Sequence, residues 1–173
     1  LGPTLINLGH VAYIKCKFKE ALEFYERGLI LIPEEPAREK NPYYHKLNYY
    51  LGIIYESESK YEKAIALCTQ SLKDLILIYG PKSKEAAIFN YNTGIIYFNS
   101  GRCEEASKCF NTAHNVIAIV RHARYEEGII KLGLGATYYI QGKHKEALST
   151  NHEALTTIQI WGVANSYLLG HCY

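Results

Sequence analysis

The sequence predicts an all-α fold: a right-handed α-solenoid of antiparallel helix pairs, with four repeated hairpins followed by a C-terminal helix. Three observations predict it. One helical phrase returns in register as "NLGHVAYIKCKFKEA" from Asn7, "YLGIIYESESKYEKA" from Tyr50, "NTGIIYFNSGRCEEA" from Asn92 and "GLGATYYIQGKHKEA" from Gly133. Its Gly (Gly9, Gly52, Gly94, Gly135) and its Ala (Ala21, Ala64, Ala106, Ala147) recur at spacings of 43, 42 and 41 residues, the mark of stacked supersecondary units. Within each copy the apolar residues follow a helical stripe, as in Leu51, Gly52 and Tyr55.

Taken in order, each unit reads as two helices around a break. The first helix carries the aligned Gly. The break follows as "ESK" at 58–60, "SGR" at 100–102 and "QGK" at 141–143. A second helix then resumes with the aligned Ala and an aliphatic stripe such as Ala64, Leu67, Leu72, Leu75 and Ile76. Gly and Ala suit places where helix backbones approach closely, because a larger side chain would push the pair apart. The units are expected over 4–40, 41–81, 82–122 and 123–161, with a terminal helix over 162–173. That last helix opens a fifth copy, "LLGHCY" from Leu168, whose Gly170 follows Gly135 by 35 residues. A hairpin cannot hide its own apolar face, so neighbours must stack, and the first helices then line a concave side.

Composition narrows the function. Of 173 residues, 48% are hydrophobic and 21% charged, and the formal charge is +2 with both signs scattered, which argues against a phosphate-backbone ligand and hence against nucleic acid. Apolar runs such as "LILI" at 29–32 and "VIAIV" at 116–120 are too short to cross a bilayer. No secretory leader is legible. The chain starts at Leu1 and lacks Met, so it reads as a fragment of something longer. Five cysteines, an odd number without a CxxC pair, fit reduced thiols and a cytoplasmic location.

Catalytic signatures are missing. No HExxH, Walker loop or GxSxG occurs, and "LGLGA" at 132–136 lies within a helical phrase where a dinucleotide turn would need a strand before it. His144 and His152, eight apart, read as solvated. No enzyme activity, cofactor or metal is expected.

The phrase resembles the tetratricopeptide repeat. The first unit supplies Leu8, Gly9, Tyr13 (one residue after the family's usual Tyr, where Ala12 sits), Phe18, Ala21, Tyr25 and Pro33, with Gly28 where the family prefers Ala. The third supplies Gly94, Tyr97, Gly101, Ala106, Phe110 and Ala113, with Thr93 and Cys103 as departures. The copies exceed the family's period of about 34 by roughly two helical turns, so they look like the long-repeat branch of kinesin light chains and Pins-type polarity adaptors.

The resemblance implies inward residues three before, one after and four after the Gly, offsets that share a helical face. They are Ile6, His10 and Tyr13; Tyr49, Ile53 and Glu56; Tyr91, Ile95 and Phe98; Leu132, Ala136 and Tyr139; and Tyr167 and His171. This row of rings with few charges suits a groove for a linear peptide or helix, and core packing is the competing reading for each member. On the other stripe, Tyr55, Tyr97 and Tyr138 are expected in the core. Asn7 and Asn92, two before the Gly, and Asn99, five after it, offer amides to a peptide backbone, or else cap helices or face water. The candidate partner-binding set is therefore His10, Tyr13, Tyr49, Ile53, Tyr91, Asn92, Ile95, Phe98, Asn99 and Tyr139. The inward offsets carry no Lys or Arg, so a chaperone-type C-terminal carboxylate is not the expected ligand. The expected function is a scaffold or adaptor for a protein or peptide partner. The alternative is a regulatory receptor for a short signalling peptide, resembling bacterial quorum-sensing regulators.

Overall fold

A computed structural model of the chain describes residues 2–32, 41–121 and 123–170, with side chains from Thr4 to Trp161 within those limits. Among the described residues there are eight helices and no strand. They divide into two compact units, Leu1–Gly80 and Pro81–Tyr173. The first holds α1 (Gly2–Ile14), α2 (Phe18–Ile30), α3 (Pro42–Ser57) and α4 (Tyr61–Tyr79). The second holds α5 (Lys84–Asn99), α6 (Cys103–Ile117), α7 (Arg124–Ile140) and α8 (His144–Gly170). Each of the four copies thus becomes one hairpin: α1 with α2, α3 with α4, α5 with α6, and α7 with α8.

All four hairpins turn in one way. The last turn of the first helix gives way to a left-handed residue: Cys16 (φ 56°), Ser59 (φ 60°), Gly101 (φ 81°) and Gly142 (φ 75°). The N–H of the next residue reaches back across the turn, Lys17 to the Ala12 carbonyl (2.9 Å), Lys60 to Tyr55 (2.8 Å), Arg102 to Tyr97 (2.9 Å) and Lys143 to Tyr138 (2.9 Å). Carbonyls that the helix end would leave orphaned are thereby satisfied. Two first helices also have side-chain N-caps: Asn41 accepts from the Tyr43 N–H and Ser83 from the Ala86 N–H, both at 3.0 Å.

The aligned glycines are notches. A Cβ on Gly9 would enter the Tyr25 ring, one on Gly52 would strike the Cys68 sulfur, one on Gly94 would lie 2.7 Å from the Phe110 ring, and one on Gly135 would strike the Asn151 amide. Each partner stands four residues after the aligned Ala, one turn along the second helix. Phe110 is fully buried and serves two notches, since a Cβ on Gly133 would also come within 2.8 Å of its ring.

Around these notches lie the cores. In the first unit Ile6, Ala12, Ala21, Tyr25, Ile32, Leu47, Leu51 and Ile54 form one cluster. In the second unit Ala106, Phe110 and Leu134 form one cluster, and Ala87, Ala113, Ile117, Ala123 and Ile130 form another. Tyr97 and Tyr138 pack, partly buried, against the first of these, as expected, while Tyr55 is half-buried with the Lys60 ammonium 5.7 Å from its ring centre.

One expected element differs. Residues 162–170 form no separate helix; they continue α8 without interruption to Gly170, because no Pro or turn cluster interrupts "TTIQIWGVANSYLLG". Pro33 and residues 171–173, including His171, lie outside the described residues.

Candidate functional site

In the first unit, α1 and α3 frame a cleft of about 450 Å³ lined by Ile6, Asn7, His10, Val11, Tyr43, Lys46 and Tyr50. Asn7 is exposed, so its amide is open to a ligand. The His10 ring stands edge-on to Tyr50 at 4.1 Å between centres, and Tyr50 in turn stacks on Tyr25 at 5.6 Å. Burial lowers the His10 pKa from 6.5, and the Lys46 charge lowers it further, which keeps the ring neutral at pH 7. Burial pushes the Tyr50 hydroxyl up to about 12, with Tyr79 adding to the shift. The Lys46 ammonium lies 4.9 Å above the Tyr79 ring and forms no ion pair with a carboxylate among the described residues. The cleft therefore combines aromatic walls with an amide, a neutral imidazole and an ammonium. It can hold apolar side chains and hydrogen-bond an extended backbone.

The other expected site residues divide between surface and core. Tyr13 is half-buried, packed against the first-unit core and 5.7 Å from the Phe18 ring, and burial raises its pKa. Tyr49 is fully buried, so the expectation that it faces a ligand is corrected. Like Ile6, also buried, it stands three before the Gly, on the flank that meets the hairpin partner; the Cys68 thiol donates to the Tyr49 carbonyl at 3.3 Å across that contact. Ile53 is half-buried. In the second unit Tyr91, Ile95 and Phe98 all pack against the Ala106, Phe110 and Leu134 core, with the Tyr91 ring tilted 5.6 Å from Phe110 and its pKa raised by burial. Asn92 is half-buried and Asn99 exposed. Tyr139 is 65% exposed, its ring 5.4 Å from His144.

Tyr43, Lys46 and Tyr50 were not in the expected set. Lys46 lies outside the three inward offsets, which themselves carry no Lys or Arg. It stands six before Gly52, one turn beyond the three offsets used, on the same helical face, so extending the stripe by a turn would have found it.

Among the described residues no group of three His, Cys, Asp or Glu could hold a metal, and no helix is long and apolar enough to cross a membrane. Of the cysteines, Cys16, Cys68, Cys103 and Cys109 are free, while Cys172 lies outside the described residues. Burial raises the Cys68 thiol pKa and pushes that of Cys109 up to about 11, so neither is a ready nucleophile.

Helical hairpins repeating every 41 to 43 residues, each closed by a glycine notch and a left-handed turn, define a helical-repeat protein of the α-solenoid class. The tetratricopeptide-repeat model matches residues 44–118 and 85–159, and the chain belongs to that family. Similar solved structures include BtubC (BKLC) from P. vanneervenii, at 19% identity and TM-score 0.81 over 94% of this chain and 65% of that one. A Rap protein complexed with competence and sporulation factor is similar at 16% identity and TM-score 0.80, over 93% of this chain and 43% of that one. A putative kinesin light chain from Podosopora anserina, with nearly identical TPR-like repeats, is similar at 14% identity and TM-score 0.66, over 91% and 74% of the two chains. The chain spans less than two thirds of the length of the first two. No curated protein sequence matches it.

Proposed function

We propose that the chain is a non-catalytic scaffold or adaptor that binds a linear segment of a partner protein, as peptide or helix, along the inward face of its first helices. The α1–α3 cleft carries this reading: rigid rings and an open amide beside an ammonium are what an extended segment needs for burial and backbone pairing. In the first unit Asn7, His10, Tyr43, Lys46 and Tyr50 make the contact; in the second, the exposed Asn99 and Tyr139 are the candidates. Scattered charge speaks against nucleic acid as the partner, and the free thiols support a cytoplasmic location.

The test is selection of binders from a random linear-peptide library displayed against the chain. Tyr43→Ala combined with Lys46→Ala should weaken the selected peptides by about tenfold or more while helicity is retained. Unchanged affinity in the folded double variant overturns the reading.

The likeness to a Rap protein complexed with competence and sporulation factor favours a second reading, a receptor for a short peptide. A receptor changes compactness when a peptide of under ~10 residues binds, which small-angle scattering detects; an adaptor binds without that change.

A further inference from the structure

Among the described residues three lysines are half-buried: Lys46 in α3, Lys84 in α5 and Lys131 in α7. A cation drawn partly out of water loses hydration, and an opposite charge beside it compensates for that loss. Two of the three have one. Lys84 pairs with Glu126, and Lys131 pairs with Glu153 at 3.1 Å and Glu127 at 3.5 Å. Lys46 has no carboxylate partner among the described residues, and its ammonium rests 4.9 Å above the Tyr79 ring. Its charge is felt within the α1–α3 cleft, where it adds to burial in lowering the His10 pKa. None of the residues lining that cleft is acidic.

The setting of Lys46 is ordered. Tyr43, Lys46 and Tyr50 stand three and four residues apart, so they share one face of α3, a cation between two rings. This stripe belongs to a helix that packs against both α2 and α4, and so does not owe its setting to the first helix of the sequence. We propose that the segment bound in the cleft carries an acidic side chain, Asp or Glu, whose carboxylate pairs with Lys46, with an apolar residue on each side of it against Tyr43 and against Tyr50. This rests on the cleft being the binding face, and names the chemistry of its partner. The carboxylate gives Lys46 the ion pair that Lys84 and Lys131 already have, and flanking rings keep water from it, which strengthens the pair. The acid is an internal side chain, because a segment lying along α1 and α3 runs on past the cleft, and the Asn7 amide is then left for its backbone.

Peptides selected against the full chain from a random library, then synthesised with both ends blocked, test this. The selected sequences should share one Asp or Glu flanked by apolar residues. Replacing that acid by its amide should weaken binding to the wild-type chain by about tenfold or more, a measurement that needs no protein variant. Lys46→Gln should weaken the acidic peptide by the same factor and leave the amide peptide within about twofold, while Lys46→Arg keeps most of the affinity. The charge swap is the sharpest arm: Lys46→Glu should bind a peptide with Lys at the acidic position at least about tenfold better than the wild type does. Selected peptides without a shared acid, equal losses for the acidic and amide peptides on Lys46→Gln, a swap that restores nothing, or an acid supplied only by a free peptide terminus overturns the proposal. Peptides that need Tyr43 but not Lys46 overturn this inference and leave the cleft as the binding face; peptides indifferent to both overturn the cleft as well. Circular dichroism of each variant confirms that helicity is retained.

Discussion

The two units are built from one repeated phrase and differ in what they do with it. In the first, a cleft between α1 and α3 stays open and partly polar, with Asn7, His10 and Lys46 on it. In the second, the corresponding rings of α5 close onto Phe110. The turns differ as well: Cys16 and Ser59 hold left-handed backbone in the first unit, Gly101 and Gly142 in the second. The difference teaches that register, more than residue identity, carries the hairpin. Four unlike residues, Tyr25, Cys68, Phe110 and Asn151, fill the same notch opposite Gly, and two residues with a Cβ occupy a conformation that costs L-residues roughly 1–2 kcal/mol.

The notch offers the largest way to break this comparison. Phe110→Ala should cost ~3–5 kcal/mol in urea unfolding, because the ring fills two glycine notches at once. Cys68→Ala, at the equivalent place in the first unit, should cost only ~1–2 kcal/mol, for a smaller volume and one thiol hydrogen bond. Equal losses would show that the notch partner is not the keystone of the second unit. Next come the turns. A Cβ at Gly101 or Gly142 meets nothing, so Ala there isolates the backbone cost of about 1–2 kcal/mol, whereas Cys16→Gly and Ser59→Gly should stabilise by up to about 1 kcal/mol. Stabilisation by Gly101→Ala would contradict the left-handed turn. Removing the caps with Asn41→Ala or Ser83→Ala should cost about 1 kcal/mol in either unit, measured by thermal unfolding.

The smallest effect is on pH. Burial is the main cause of a lowered pKa at His10 and at His114, with Lys46 and Lys131 respectively adding to it. Folding therefore favours the neutral rings: their contribution is full above the unfolded value of about 6.5 and is lost as pH falls through the lowered folded values. Glu127 differs. Its burial opposes ionisation, but the Arg124 hydrogen bond at 2.8 Å and the nearby Lys131 outweigh burial and lower its pKa, so its contribution is lost only as pH falls below the carboxylate range. Urea midpoints followed from neutral to acid pH should fall in these two stages, and His10→Gln should reduce the first.

Much of the fold was legible because its signals are local and repeat. The spacing from Gly to Ala sets the hairpin, and "SGR" and "QGK" mark turns through a residue type that left-handed backbone favours. Even "ESK" could be aligned by register, although Ser59 gives no such signal on its own. The site was less legible. Tyr49 and Tyr13 share a nominal inward face, yet Tyr49 is sealed and Tyr13 only half-buried, a difference set by tertiary packing that no periodicity contains. Lys46 escaped because a three-position rule ended one turn short of it. The unbroken run of α8 past Trp161 escaped because a weak echo of the repeat at Leu168 suggested a break that the helix does not make.

The central claim is that the open inward face of α1 and α3 is where a partner segment lies. Mapping backbone amide shifts of the isotope-labelled chain as a library-selected peptide is titrated in tests it most directly. The account predicts the largest shifts at Asn7, His10, Tyr43, Lys46 and Tyr50. Shifts confined to the outer faces of α2, α4 and α6, with those five unmoved, would contradict it.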